Sequence, residues 1–201
     1  EQRMKKLIVG MTGASGALFG VDLLEVLKET DVEVLLVANK WAQPTIEHEV
    51  GITLEEVRAL AAHFYGSGDM GATISSGSFV TDGMIIVPCS MRSVAAIANG
   101  LGDHLVHRAA DVVLKERRPL VLVARETPLS DIHLENMLKL SRMGVTILPP
   151  MPAFYNHPRD LDDIVNHIVA RCLDQFGVEW DYGKRWDGDM KNRSAKVHRL
   201  K

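Results

Sequence analysis

Hydrophobic residues gather in five short runs along the chain. Within each run they occupy consecutive positions instead of every second one, a pattern typical of strands that are buried on both faces. Longer segments with apolar residues at helical spacing separate the runs. The predicted strands are 5–9, 32–38, 84–87, 120–124 and 145–148.

Residues that commonly begin or end helices mark the segments between the strands. Thr53 with Glu56 three positions later forms a capping box, and Asp103, Ser130 and Asp160 are suited to the N-cap position. Helices are therefore predicted over 17–29, 40–49, from 53 onward, 103–117, 130–143 and from 160 to near 177. Buried strands that alternate with helices predict a single three-layer α/β domain with a doubly wound, Rossmann-like or flavodoxin-like, mainly parallel sheet.

Length and composition agree with one globular domain. The 201 residues are 46% hydrophobic and 24% charged, which argues against a disordered chain or a coiled coil. No apolar run approaches the roughly 20 residues that span a bilayer, so no membrane partner is expected. The net charge of −3 gives no basic excess for nucleic acid. The domain is expected over 4–186, with Met4 as its natural start, residues 1–3 before it and a polar tail over 187–201.

The cysteines and the N-terminus together predict a cytoplasmic protein. Cys89 and Cys172 lie far apart without metal-ligand spacing, so two reduced, buried thiols are expected. No apolar leader segment precedes a cleavage site.

Polar residues follow the predicted strands at the edge where open parallel sheets bind ligands. The glycine-rich loop 10–16 opens a helix and is suited to an anion. Asn39 stands after the second strand, where an NAD site needs an acidic residue; this argues against NAD and is compatible with a mononucleotide such as FMN. Ser90 and Ser93 follow the third strand, and Arg125 with Glu126 follows the fourth.

Each of these features also has a purely structural interpretation. The loop 10–16 could be only a tight turn, and Ser90 and Ser93 could be only N-caps. Arg125 and Glu126 could form a salt bridge, and Arg171 is either a surface residue or a site cation.

Histidines and hydrolase motifs give no support for other chemistry. His104 and His107 are three positions apart, no third metal ligand stands out, and no metal is expected. His133 is expected to make a local hydrogen bond within its helix. Neither the Gly-x-Ser-x-Gly elbow nor the Gly-x-x-x-x-Gly-Lys-Ser/Thr loop is present.

Several ordered motifs carry a family resemblance. The chain closely resembles the UbiX-like flavin prenyltransferases (the UbiX/Pad family, formerly described as phenylacrylic or hydroxybenzoate decarboxylase subunits) from about Lys5 to Trp186. The motifs are 11–16 (MTGASG), 75–78 (SSGS), 87–90 (VPCS), 108–112 (RAADV), 114–120 (LKERRPL), 125–128 (RETP), 132–138 (IHLENML) and 152–155 (PAFY).

The resemblance implies a metal-independent enzyme that uses FMN. Family members transfer a dimethylallyl group from dimethylallyl phosphate to N5 and C6 of reduced FMN. The prenylated FMN then serves a separate UbiD-like aromatic acid decarboxylase. The family usually forms dodecamers with active sites at subunit contacts.

The resemblance also assigns roles to residues. Ser15, Glu49, Lys115 and Glu126 match catalytic positions, with Glu49 expected from a neighbouring subunit. The positions that match flavin contacts are Gly13, Ala14, Ser15, Asn39 (where many members have Ser), Ser90, Met91, Arg92, Ser93 and Arg125. The positions around the prenyl phosphate are Lys115, Glu126, Tyr155 and Arg171, and Trp186 matches an aromatic residue near the prenyl group.

Two alternatives stay open at this point. An FMN-dependent cysteine decarboxylase of related fold would need a catalytic His after the early helices and an Asn-rich substrate motif; His48 and His63 lie in no such motif. A non-catalytic flavin carrier would bind FMN without turnover, and it would not need a second phosphate site.

Overall fold

A parallel sheet of six strands forms the centre of the computed structural model, which describes residues 3–181, 185–186 and 188. The strand order is β3-β2-β1-β4-β5-β6, and every neighbouring pair is parallel. The predicted doubly wound α/β fold is confirmed. The strands are β1 (Lys6–Met11), β2 (Glu33–Ala38), β3 (His63–Gly66), β4 (Gly83–Cys89), β5 (Leu120–Ala124) and β6 (Thr146–Ile147).

The sequence prediction missed the edge strand β3. Its four residues are exposed or only half-buried, so they lack the continuous apolar run that revealed the central strands. They pair with β2, and Phe64 packs against the core. At the other edge, the predicted strand 145–148 shortens to the two residues of β6.

Seven helices connect the strands within the described residues. Thr53 and Glu56 form the predicted capping box, and Ser130 and Asp160 act as N-caps. His133 accepts a local hydrogen bond from the backbone N–H of Ser130, as expected. The helices are α1 (Ala17–Lys28), α2 (Ala42–Glu49), α3 (Leu54–Arg58), α4 (Met91–Ala98), α5 (Leu105–Lys115), α6 (Asp131–Arg142) and α7 (Leu161–Asp174).

The N-terminus of α5 differs from its prediction. His104 occupies the N-cap position in place of Asp103, and no side chain caps the helix there. The Asp103 carboxylate instead contacts His107, one helical turn further on.

Two apolar clusters enclose the sheet, one on each face. One lies between the sheet and α1, α2 and α7, and the other lies under α4, α5 and α6. This arrangement confirms the three layers. Cys89 and Cys172 are free and buried, also as expected. None of the described helices combines the length and apolar character that crossing a membrane requires. The tail predicted over 187–201 lies outside the described residues, except for residue 188.

Candidate functional site

A cavity of about 670 Å³ opens at the carboxyl ends of the central strands. The glycine loop after β1 and the segments after β2 and β4 meet there, as the topology of a parallel sheet requires. Two cationic side chains, several hydroxyls and two imidazoles line it. The lining residues are Gly13, Ala14, Asn39, Lys40, Trp41, Pro44, Thr45, Ser67, Ser90, Arg92, Ser93, Asp103, His104 and His107.

The N-terminus of α1 is held by Glu49, which stands at the end of α2. Gly16 is at the N-cap with φ of 107°, a left-handed conformation that favours glycine, and it offers no capping side chain. Oε2 of Glu49 accepts hydrogen bonds from the backbone N–H groups of Gly16 at 2.8 Å and Ala17 at 3.0 Å. The expectation that Glu49 comes from a neighbouring subunit is therefore corrected, since it reaches the loop of its own chain.

Electrostatics at this helix end keep Glu49 ionised. Partial burial of the carboxyl acts to raise its pKa. The hydrogen bonds from Ser15, Gly16 and Ala17, together with the positive charge of Arg125, outweigh that effect, so the pKa lies below its ordinary value of 4.5. Ser15, Glu49 and Arg125 thus belong to one electrostatic group.

Gly13 allows the first loop to lie against α2. A Cβ at this position would stand 2.4 Å from Cβ of Trp41 and 2.8 Å from the Trp41 carbonyl oxygen. Thr45 donates a hydrogen bond from its hydroxyl to the carbonyl of Gly13 at 3.0 Å. Asn39 stabilises the start of α2 in the same region, because its Oδ1 accepts hydrogen bonds from the backbone N–H groups of Trp41 and Ala42.

Buried Thr12 joins the first loop to the loop after β4. Its hydroxyl donates to the carbonyl of Pro88 at 2.8 Å and accepts from the backbone N–H of Ser90 at 3.1 Å. Ser90 is the N-cap of α4, which confirms its structural interpretation, and it also lines the cavity. Sequence reasoning did not single out Thr12.

Asp103, His104 and His107 lie together on the cavity wall. These three residues offer a carboxylate and two imidazoles close enough to share a cation. Both ring nitrogens of His107, however, are already in hydrogen bonds, with Asp103 at 2.6 Å and Ser93 at 2.9 Å. Arg92 adds a positive charge 3.6 Å from Asp103. Sequence reasoning missed Asp103, although its spacing of four from His107 on a helical segment was a usable signal.

Two residues expected around the prenyl phosphate, Tyr155 and Arg171, meet Trp186, expected near the prenyl group, in a second cavity of about 430 Å³. Tyr155 and Trp186 contact each other edge-to-face with ring centroids 5.6 Å apart, and Arg171 stands beside them on α7. Residues that the sequence reasoning did not single out complete the lining: His167, Ala170, Asp174, Trp180 and Arg185.

Asp174 anchors the cations of this second cavity. It accepts from Arg171 at 2.7 Å and from Arg185 at 2.7 Å. Arg185 lowers the pKa of Asp174 mainly through its hydrogen bond, against the opposing effect of burial, and Arg171 adds to the lowering. Burial lowers the pKa of His167, and the positive charge of Arg171 lowers it further. His167 is therefore neutral at pH 7.

The remaining predicted residues lie outside both cavities within a single chain. Lys115 ends α5 and pairs with Glu116 at 2.6 Å. Along α5, Lys115 lies eight residues beyond His107 of the first cavity, about 12 Å of helix axis. Glu126 is exposed and accepts from the backbone N–H of Thr127 at 3.0 Å. Met91 is half-buried at the start of α4 and does not line the first cavity.

Comparisons with known proteins identify the family. A family model described as Flavoprotein matches residues 1–173. A probable UbiX-like flavin prenyltransferase of Bacillus subtilis is 60% identical over 94% of this chain and 93% of its own length. The chain belongs to the UbiX-like flavin prenyltransferases. The flavin prenyltransferase LpdB of Lactiplantibacillus plantarum is 54% identical over 92% of this chain and all of its own length.

Solved structures of UbiX-like proteins share the complete fold. A dodecameric FMN-dependent UbiX-like decarboxylase from Escherichia coli O157:H7 gives a TM-score of 0.90 at 63% identity, covering 91% of this chain and 100% of that one. AnUbiX (PadA1), solved with FMN and dimethylallyl pyrophosphate, gives 0.91 at 50% identity, covering 92% and 99%. A PPC decarboxylase at 19% identity and a TM-score of 0.62 shares the fold alone with this UbiX-like chain.

Proposed function

We propose that this protein transfers a dimethylallyl group from dimethylallyl phosphate to N5 and C6 of reduced FMN and releases phosphate. The observation that carries the proposal is the 50% identity, over 92% of the chain, to a UbiX protein solved with FMN and a dimethylallyl donor. The second cavity adds support, because a single flavin-binding role gives no reason for a separate site with a tyrosine and arginines.

The first cavity fits FMN in size and chemistry. Its volume of about 670 Å³ is within the roughly 300–1,000 Å³ of typical cofactor sites. Lys40 and Arg92 are cations suited to a phosphate, and the aromatic ring of Trp41 provides an apolar wall. We assign flavin contacts to the residues of this lining. We assign them also to Ser15 and Arg125, which interact with Glu49 at the glycine loop. Reduced FMN, when bound, supplies the nucleophilic ring atoms.

The residues of the second cavity suit the leaving phosphate. A phosphate monoester that reacts without a metal needs cations and hydroxyl donors to stabilise the departing charge. Arg171 and the Tyr155 hydroxyl provide both, and Trp186 offers an aromatic face to an allylic cation. Glu126 is assigned as the acid that protonates the departing phosphate.

The distances within one chain favour a site that two or more subunits complete. Lys115 stands at the far end of α5 from the first cavity, so its predicted role requires that it reach the site of a neighbour. A dodecamer, the assembly of the E. coli relative, would provide the neighbouring subunits that such a shared site needs. The prenylated FMN is proposed to pass to a UbiD-like aromatic acid decarboxylase.

The test is anaerobic incubation of the protein with reduced FMN and dimethylallyl phosphate, with the flavin product analysed by mass spectrometry. A prenylated flavin is expected. Glu126→Gln should slow its formation at least 100-fold, since general acid catalysis typically contributes 10²- to 10⁴-fold, while FMN still binds. Glu135→Gln, on the exposed face of α6, is the matched control and should leave the rate unchanged.

Unmodified flavin, under conditions in which an established flavin prenyltransferase works, would overturn the proposal. FMN bound without turnover would favour the carrier. Loss of carbon dioxide from a cysteine-containing substrate would favour the cysteine decarboxylase; two FMN-dependent cysteine decarboxylases, at 17% identity or less, share only the fold with this chain.

A further inference from the structure

Four side chains on the wall of the first cavity form a continuous hydrogen-bonded chain that ends at the half-exposed carboxylate of Asp103. The Ser90 hydroxyl donates to Ser93 Oγ at 3.1 Å, and Ser93 Oγ lies 2.9 Å from Nε2 of His107. Nδ1 of His107 lies 2.6 Å from the carboxylate of Asp103. Ser93 and His107 are only 2% and 1% exposed, so water cannot replace either partner.

The two ends of this chain together give the direction of its hydrogen bonds. The hydrogen bond from His107 lowers the pKa of Asp103 against a small opposing effect of burial, so the carboxylate is ionised and can only accept. Nδ1 of His107 therefore donates to the carboxylate. At the other end, Ser93 Oγ accepts from the Ser90 hydroxyl, so the proton of Ser93 itself points to Nε2 of His107, which accepts it.

This order leaves the Ser90 hydroxyl without a proton for the cavity. Its proton points to Ser93, and one of its lone pairs accepts from the backbone N–H of Ser93 at 3.2 Å. One lone pair of the Ser90 oxygen remains, and Ser90 lines the cavity. Ser90 is thus a hydrogen-bond acceptor toward a ligand, although a serine could otherwise donate as well.

We propose that Asp103, His107 and Ser93 are positioning residues that hold the Ser90 hydroxyl as an acceptor for an N–H or O–H group of the bound flavin. The inference rests on the proposed flavin function and adds to it a positioning role for these three residues. The other charged or titratable groups beside the chain are His104, whose ring stacks 3.8 Å from that of His107, and Arg92, which pairs with Asp103.

A double-mutant cycle on FMN binding tests the inference. The dissociation constant of FMN is measured by quenching of flavin fluorescence for the wild-type chain, Ser93→Ala, Ser90→Ala and the double variant. Ser93→Ala should weaken binding about 3- to 10-fold, the size of one hydrogen bond. In the Ser90→Ala background, the same change should alter the dissociation constant less than about 2-fold.

Two further variants separate polarity from packing. Ser93→Thr keeps the hydroxyl and should restore wild-type affinity, and Asp103→Asn should weaken binding in the wild-type background but not beside Ser90→Ala. Circular dichroism and the thermal midpoint confirm that each variant is folded. Bound-flavin absorption should shift in Ser93→Ala and return to the wild-type spectrum in Ser93→Thr.

Equal effects of Ser93→Ala in both backgrounds, or failure of Ser93→Thr to restore affinity, would overturn the inference and leave the flavin function intact. If the wild-type chain binds no FMN, the proposed flavin function is overturned, and so is the assignment of flavin as the ligand of Ser90.

Discussion

The carboxylate of Glu49 lies 2.8 Å from the backbone nitrogen of Gly16, so the last residue of α2 caps the first turn of α1. Helix N-termini leave backbone N–H groups without partners, and an ionised carboxylate there also complements the helix dipole. One side chain thereby ties the end of α2 to the loop after β1, and both α2 and this loop contribute to the wall of the first cavity. Glu49 has a structural role in addition to its proposed catalytic one.

Replacing Glu49 by Gln should lower the free energy of unfolding by about 1 kcal/mol at pH 7, the value of a solvent-exposed charged hydrogen bond at a helix end. The folded-state pKa of Glu49 is below its ordinary value of 4.5. The stabilisation is therefore fully present above pH 4.5 and is lost as pH falls through the lower folded-state pKa. Urea unfolding of both proteins at neutral and acidic pH measures this difference. Glu47→Gln, on the same helix, is the control, and a constant difference at all pH values would contradict the prediction.

Gly13→Ala should destabilise the protein by about 1–3 kcal/mol, the usual cost of overpacking, and weaken FMN binding. The new Cβ would stand 2.4 Å from Cβ of Trp41 and 2.8 Å from its backbone oxygen, so α2 and the loop must move apart. Gly68→Ala is the matched control, because its Cβ would have no neighbour within 4 Å. Thermal unfolding and FMN titration of the two variants should differ clearly; equal behaviour would show that the loop adapts without cost.

Asp22→Asn should stabilise the protein at neutral pH. Burial raises the pKa of Asp22 from 3.8 to about 6, and the charges of Glu25 and Asp162 add to the shift. Its Oδ2 atom is buried without a hydrogen-bond partner among the described residues. The folded state holds this proton more tightly, so the wild-type chain loses stability as pH rises from about 4 to about 6.

Above about pH 6 the gain from Asp22→Asn should reach about 1–2 kcal/mol, a value reduced from the full shift because the side chain is only partly buried. Well below pH 3.8 the gain should vanish, because Asp22 is then protonated in both states. Chemical unfolding across this pH range measures it, with exposed Asp31→Asn as control. A gain that persists at the acidic end would show that charge is not its source.

The native protein should resist thiol reagents at mildly alkaline pH. Burial raises the pKa of the Cys89 thiol, and it raises the pKa of Cys172 to about 12 against a small opposing effect of Arg171. Neither thiolate forms in the folded state, and the thiolate is the reactive species. A colorimetric thiol assay should count two groups per chain in denaturant and almost none without it. Rapid reaction of the folded protein would mean that one of the buried layers opens.

The sequence predicted the central sheet because buried parallel strands are apolar at consecutive positions. β1, β2, β4 and β5 carry that signal, whereas β3 is half-exposed and β6 is two residues long. Helix ends followed local capping chemistry, and the exception was Asp103, whose side chain makes a tertiary contact instead. Local propensity cannot anticipate such a contact.

The candidate site was predictable where residues directly follow strands and less so elsewhere. Ser90 and Asn39 stand at strand ends, and both line the first cavity. Thr12, Asp103 and Asp174 gain their importance from partners distant in the chain or on another helix face, and one sequence does not show those pairings. The family resemblance assigned Tyr155, Arg171 and Trp186 to one site, and the structure brings these three together.

The position of Lys115 at the far end of α5 has a genetic consequence. If Lys115 acts in the site of a neighbouring subunit, a chain without Lys115 still has an intact first cavity. A chain with a damaged first cavity still supplies its own Lys115 to the neighbouring site. Two inactive alleles, one changed at Lys115 and one at Ser15, should then complement each other when expressed together. Mixed assemblies would contain some complete sites, each formed from the undamaged halves of two defective chains.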